Sequence, residues 1–186
     1  GVLHAVGLRW QWQLSFLLAL FVAFVVGVYF FQEKLMYVPT LPGPTGPITR
    51  IGDNPTGYRS PAEYGLPFEE ALVQTRDGET IHVWYLPSTE KSTAMLECHG
   101  NAGNLGLRLP GLVAAAQELK CCVCIFDYRG FGGSSGVPGE SGMVEDLFAV
   151  HEWLINKIGH KNIFLHGRSV GGALVVQYAA RRAALM

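Results

Sequence analysis

The chain has 186 residues, 14 of them basic and 15 acidic, for a net charge of -1, and 49% are apolar. That length supports one domain with a sizeable core. The balanced charge gives no basic surface for nucleic acid and no field that would gather an acidic substrate.

Residues 1–13 form an N-terminal flank. From Leu14 to Phe31 the run LSFLLALFVAFVVGVYFF carries no charge, and its length is close to the roughly 20 residues that cross a bilayer as a helix. Trp10 and Trp12 precede the run, Tyr29 lies near its end, and Arg9 and Lys34 bracket it, as amphipathic and basic side chains do at the headgroup level. A cleaved signal peptide has an apolar core of about 7–15 residues followed by small residues, whereas YFFQEKL closes this run. The expectation is an uncleaved single-pass anchor at 14–31 in a membrane of unspecified organelle. Arg9 on one side and Glu33–Lys34 on the other nearly cancel, with a slight lean to a cytoplasmic N-terminus.

Residues 32–67 include VPTLPGPTGPITRIGDNPTGYRSPAEYGLP, dense in Pro and Gly and without periodicity, which predicts a linker arm that packs on the following domain. The domain proper, 68–186, begins with two alternating runs, FEEALVQT and ETIHVWYL, around Arg76-Asp77-Gly78. An Asp-Gly step supplies the backbone angles of a tight turn, so Phe68 to Leu86 reads as an antiparallel hairpin. TAMLEC, CVCIFD and NIFLHG then alternate with helical stretches, including Leu109 to Lys120 and the segment after Ser169. Strands alternating with helices imply an α/β fold with a mostly parallel sheet. A further helix is expected from Gly142 to Ile158, with Ser141 as its cap, Gly159 as its stop and His151 at the core edge.

Cys98, Cys121, Cys122 and Cys124 read as buried strand thiols, because a metal site there would need ligands from other elements. No metal and no cofactor is expected. Gly130 to Ser135 lacks the third glycine of a dinucleotide fingerprint and a nearby acid for the ribose. Asp127 and Arg129 are instead expected to pair or hydrogen-bond and so fix the loop DYRGFGGSSG.

FLHGRSVGGA, residues 164–173, sets Ser169 between Gly167 and Gly171 after an apolar strand and before a helix. A serine hydroxyl becomes a useful nucleophile only when it is exposed, deprotonated by a base and faced by donors for the oxyanion. The two glycines leave room for a sharp strand-to-helix turn, Gly172 lets it pack closely, and a helix opening at Val170 aims its N–H at the developing charge. Upstream, ECHGNAGN opens a glycine-rich loop at the end of a strand, where His99 and Gly100 would support a second oxyanion donor, the N–H of Asn101. Asn101 and Asn104 also suit a plain turn.

HGNAGN, DYRGFGGSSG and GRSVGGA, in that order, resemble the α/β-hydrolase superfamily, and within it the membrane-anchored subgroup of bud-emergence-type proteins and α/β-hydrolase domain protein thirteen. The resemblance runs from FQEKLMYVP to Ala180, with Glu97-Cys98 standing where that family usually has apolar or aromatic residues. It implies the N-terminal part of an α/β-hydrolase fold, strands one to five, behind a single transmembrane helix. The implied activity is hydrolysis of an ester, thioester or amide by a serine triad, on a small-molecule, lipid or acylated-protein substrate. In such enzymes an acid and then a histidine follow the serine, yet no His, Asp or Glu follows Ser169 here. Asp127 is the nearest substitute, with no histidine to stand between it and the serine. The expectation is therefore a fragment that lacks the triad acid and base, with NIFLH left as a hydrophobic sheet edge unpaired on its outer side. The alternative is a noncatalytic, membrane-tethered interaction protein that keeps the turn.

Overall fold

A computed structural model describes residues 2–89 and 93–184. Gly1, residues 90–92 and the last two residues of the 68–186 range lie outside the described residues, as do the side chains before Trp10, Arg9 among them. The chain divides into Gly1–Met36 and Tyr37–Met186.

The first unit is one helix, α1 (Val2–Met36), in which Trp10–Met36 is long and apolar enough to cross a membrane. At 1.5 Å per residue those 27 residues span about 40 Å. The apolar run extends around the whole helix, and Leu14, Phe16, Phe21, Phe24 and Phe30 are all exposed. A helix apolar on every side suits hydrocarbon or a protein interior, and this unit has no interior of its own.

The second unit opens with the arm. It contains a small antiparallel pair, β1 (Leu41–Gly43) and β2 (Gly46–Ile48), and two short 3₁₀ turns. A reciprocal amide pair fastens it to the domain: Asn54 Nδ2 donates to Asn104 Oδ1 at 2.8 Å and Asn104 Nδ2 to Asn54 Oδ1 at 2.9 Å, both side chains fully buried. Each amide supplies what the other lacks, so neither is left unsatisfied.

The domain is a five-stranded sheet built from β3 (Glu69–Gln74), β4 (Thr80–Leu86), β5 (Thr93–Cys98), β6 (Cys122–Phe126) and β7 (Asn162–Gly167) in the order β3-β4-β6-β5-β7. The β6-β5-β7 part is parallel, as the strand–helix alternation implies. The hairpin adds two antiparallel pairings, β3 with β4 and β4 with β6, so the sheet is mixed. The turn spans Arg76 to Gly78, and within it only Gly78 needs a positive φ, 92°. Asp77 keeps an ordinary backbone and spends its carboxylate elsewhere.

Alternation along the strands splits the core into two layers. Ile81, Val83, Tyr85, Cys122, Cys124 and Phe126 face α3 (Glu140–Trp153) and α4 (Val170–Ala183). Trp84, Leu86, Val123 and Ile125 face α2 (Leu109–Glu118). The four cysteines are free and buried. The helix α3 starts at Glu140 with Gly139 as its cap residue, so Ser141 lies inside the first turn and caps nothing. A π-helical turn at Leu154–Ile158 carries it to Gly159. The Ser141 hydroxyl instead faces α4, 3.5 Å from Arg181 Nη2, and the Arg129 guanidinium packs over Gly142, where a Cβ would be 2.6 Å from Nη1. Among the described residues β7 has a strand neighbour on one side only.

Candidate active site

The elbow follows β7 directly. Arg168 N donates to Cys98 O at 3.1 Å, which carries the β5–β7 pairing one residue past the strand. Ser169 then turns the chain with φ 55° and ψ -121°, and α4 begins at Val170. A non-glycine residue held in that region costs about 1–3 kcal/mol and persists only where its surroundings enforce it. They do so here by close approach. A Cβ on Gly171 would lie 2.0 Å from Cys98 O, and one on Gly167 would lie 2.5 Å from Gly171 O. The position of Gly172 is less demanding, with Gly167 O at 3.3 Å from an added Cβ. The Ser169 side chain is exposed, and in the first turn of α4 Gly171 N, one residue beyond Val170 at the helix start, donates to Arg168 O at 3.0 Å and Gly172 N to Ser169 O at 2.9 Å.

The loop after β5 lies against this turn. A Cβ on Gly100 would sit 3.6 Å from Arg168 O and 3.7 Å from Ser169 Cβ, ordinary contact distances. His99 is fully buried, its ring 4.4 Å from that of Tyr128, and the Tyr128 hydroxyl donates to His99 O at 2.7 Å. Burial pushes the imidazole down to about 4, so it is neutral at physiological pH. His99 Nδ1 meets Gly100 O at 2.8 Å, and a carbonyl can only accept, so the proton is on Nδ1. This histidine braces the loop. Asn101 Oδ1 accepts from Val38 N at 3.1 Å, while Gly103 N donates to Val38 O at 2.9 Å, tying the loop to the arm. Asn104 caps the following 3₁₀ turn through Gly106 N.

Asp127 and Arg129 fix the glycine-rich loop, but not by pairing with each other. Asp127, fully buried, accepts from Leu105 N at 2.7 Å and Gly133 N at 3.0 Å, and meets His82 Nδ1 at 3.3 Å. Its carboxylate is thus engaged in joining three segments rather than standing ready as a base for Ser169. Arg129 donates from its backbone N to Asp146 Oδ2 at 2.8 Å, from Nε to Asp146 Oδ1 at 2.9 Å, and through Nη1 to Asp77 at 2.7 Å. The turn of the hairpin, the end of β6 and α3 meet at this one guanidinium.

The other histidines are engaged away from the elbow. His160 meets Tyr85 Oη at 2.9 Å, His151 packs against Tyr178, and His166 pairs with Glu97 across β5 and β7. That pairing accounts for a carboxylate at position 97. Among the described residues none of these imidazoles bonds Ser169.

His82 and Arg108 are the residues that sequence reasoning left without a role. His82 shares the α2 face with Trp84 and sits between two carboxylates, with Nε2 2.5 Å from Glu70 Oε1. Burial opposes its charged form, but Asp127 first and Glu70 second outweigh that and raise its pKa above the ordinary value of 6.5. A raised histidine stabilises the fold fully below its unfolded pKa, about 6.5, and the contribution is lost as pH rises through the folded value. The unfolding free energy of the wild type over His82→Gln is therefore expected to be largest near about pH 6 and to shrink toward about pH 9. Urea melts of both proteins across that range check it, and a pH-independent difference is the contrary result. The only sequence signal for His82 is a polar residue among core positions of a strand.

Arg108 Nη2 donates to Gly100 O at 3.2 Å and to Ala102 O at 2.5 Å. A cavity of about 630 Å³ adjoins it, lined by Glu97, Gly100, Arg108, Phe164, His166 and Arg168 among others.

An exposed serine on a strained strand-to-helix turn, flanked by a glycine-rich strand-exit loop in a mixed sheet covered by helices, defines an α/β-hydrolase architecture. The α/β hydrolase fold family matches residues 93–184, and the chain belongs to the α/β-hydrolase superfamily. It is 36% identical over 150 residues to the α/β-hydrolase domain-containing protein WAV2 of Arabidopsis thaliana, covering 77% of this chain and 45% of that protein. It is 31% identical to the protein bem46 of Schizosaccharomyces pombe, covering 83% of this chain and 50% of that protein. An uncharacterized membrane protein of Saccharomyces cerevisiae is 27% identical, with coverages of 89% and 55%. The chain thus spans about half the length of the curated relatives it matches. A Pyrococcus furiosus esterase shares the fold with a TM-score of 0.59 at 18% identity, over 76% of this chain and 49% of that one. An α/β serine hydrolase homologue from Coxiella burnetii is 30% identical with a TM-score of 0.53, over 60% and 56%.

Proposed function

We propose that this chain is the nucleophile-bearing part of a membrane-anchored serine hydrolase that cleaves an ester, thioester or amide. The observation that carries the reading is the backbone of Ser169, strained and exposed between two glycines that cannot bear a side chain. In this reading Ser169 Oγ attacks the acyl carbon, and the N–H groups of Val170 and Asn101 receive the oxyanion. The hydroxyl proton passes to a histidine, the leaving group departs with it, and water then hydrolyses the acyl-enzyme. The histidine and its acid would come from sequence that follows in a longer protein, in keeping with the span of the relatives. The α1 helix would hold the enzyme at a bilayer, which favours a lipid or acylated-protein substrate over a freely diffusing small molecule.

A fluorophosphonate probe applied to the full chain in detergent micelles tests the nucleophile. An oxyanion hole alone retains about 10³–10⁴-fold catalysis over water when triad members are missing, so slow labelling is expected, and it should fall at least about tenfold in Ser169→Ala. Equal labelling of the two proteins would refute the assignment. The reading as a noncatalytic tethered module is favoured by one observation, that no described histidine bonds Ser169, and it predicts no Ser169-dependent labelling even after the matching C-terminal half of a relative is supplied.

A further inference from the structure

We infer that Arg108 is a positioning residue for the oxyanion site: it holds the Gly100–Asn101 peptide so that the Asn101 N–H is presented on the edge opposite the guanidinium. The inference rests on the proposed hydrolase reading and extends it to a residue that makes no contact with the reacting atoms.

A trans peptide is planar, with its C=O and N–H on opposite edges. The carbonyl of Gly100 receives two donors, His99 Nδ1 at 2.8 Å and Arg108 Nη2 at 3.2 Å. Those contacts fix which way the plane faces. The N–H of Asn101 must then point away from Arg108, and Gly100 itself flanks Ser169. The same Nη2 also takes the carbonyl of Ala102. Ala102 has φ 90° and Gly103 has φ 66°, so two successive residues stand in left-handed backbone, the first of them with a Cβ that disfavours it. Both residues lie in the loop whose carbonyls the guanidinium engages. Arg108 holds two of them from a 3₁₀ turn, Leu105–Arg108, that is itself pinned by Asp127 and by the Asn104 cap. Donation from a cation also polarises the Gly100–Asn101 peptide and makes its N–H a stronger donor.

The test compares wild type, Arg108→Met and Arg108→Lys as full chains in micelles, following fluorophosphonate labelling at Ser169 as a function of probe concentration. Arg108→Met keeps the bulk of the side chain without its donors, and Arg108→Lys restores a cationic donor. The maximal labelling rate of Arg108→Met is expected to fall about tenfold to a hundredfold, below the 10²–10³ that loss of an oxyanion donor itself costs. The half-saturating probe concentration should not change, and Arg108→Lys should regain part of the rate. A wild-type rate in Arg108→Met overturns the inference. So does an equal fall in both variants that tracks a lowered melting temperature, since that marks a purely structural role. If the wild type shows no Ser169-dependent labelling even with the matching C-terminal half of a relative supplied, the hydrolase reading fails instead, and the Gly100 carbonyl direction in a crystal structure of Arg108→Met decides separately whether Arg108 sets the peptide: a rotated peptide supports the inference, an unrotated one overturns it.

Discussion

Asp146→Ala is expected to destabilise the domain by about 3–5 kcal/mol, the range for breaking a buried charge pair from one side. Asp146 is fully buried and accepts from both the backbone and the side chain of Arg129. Removing it leaves the Arg129 guanidinium, only 10% exposed, with Asp77 alone as its carboxylate partner, and leaves a backbone N–H without an acceptor. Against a typical stability of about 5–15 kcal/mol that is a large fraction. Near the melting point each kcal/mol is worth about 2–4 °C at this size, so the midpoint should fall by roughly 6–20 °C. Asp77→Asn is the control, because the carboxylate there is half exposed and an exposed partner contributes at most about 1 kcal/mol. An Asp146→Ala melt close to that of the wild type would contradict the account.

Gly171→Ala is expected to disable the elbow, while Gly172→Ala one position on is tolerated. The methyl group at 171 would lie 2.0 Å from Cys98 O and 2.6 Å from Cys98 C. These are backbone atoms at the end of a central strand and cannot rotate aside, so α4 must move away from β5, and Ser169 moves with it. A displacement near 1 Å can cost about a hundredfold in rate, and the overpacking itself costs about 1–3 kcal/mol. At 172 the nearest atom is 3.3 Å away, and alanine is the better helix former by about 1 kcal/mol. Fluorophosphonate labelling and thermal melts of the two variants should therefore diverge, with Gly171→Ala lower in both. Equal behaviour would mean that the contact with Cys98 does not set the geometry.

The elbow, the glycine-rich loop after β5 and the strand–helix alternation are legible in the sequence because each is local. Gly167, Ser169, Gly171 and Val170 lie within five residues, and their spacing alone demands a sharp turn into a helix. What the sequence conceals is the set of long-range partners. Asp127 and Arg129 are two residues apart and of opposite charge, which invites a pair, yet each finds a better-placed partner 17 to 52 residues away. Ser141 has the right chemistry for a cap, but the helix begins at Glu140 and the Ser141 hydroxyl faces Arg181, 40 residues on. Arg108 follows no spacing rule at all, because its acceptors are carbonyls, which every residue carries. The membrane-length helix was legible from its apolar run alone.

Burial raises the thiols of Cys98 and Cys124 well above their ordinary value, so almost none is present as the reactive thiolate while the sheet is closed. Together with Cys122 they occupy β5 and β6, the inner strands of the sheet, where a reagent arrives only after the strands part. Their alkylation rate is then a clock for opening of the sheet centre, reading the population of the open state when reclosure is fast and the opening rate when it is slow.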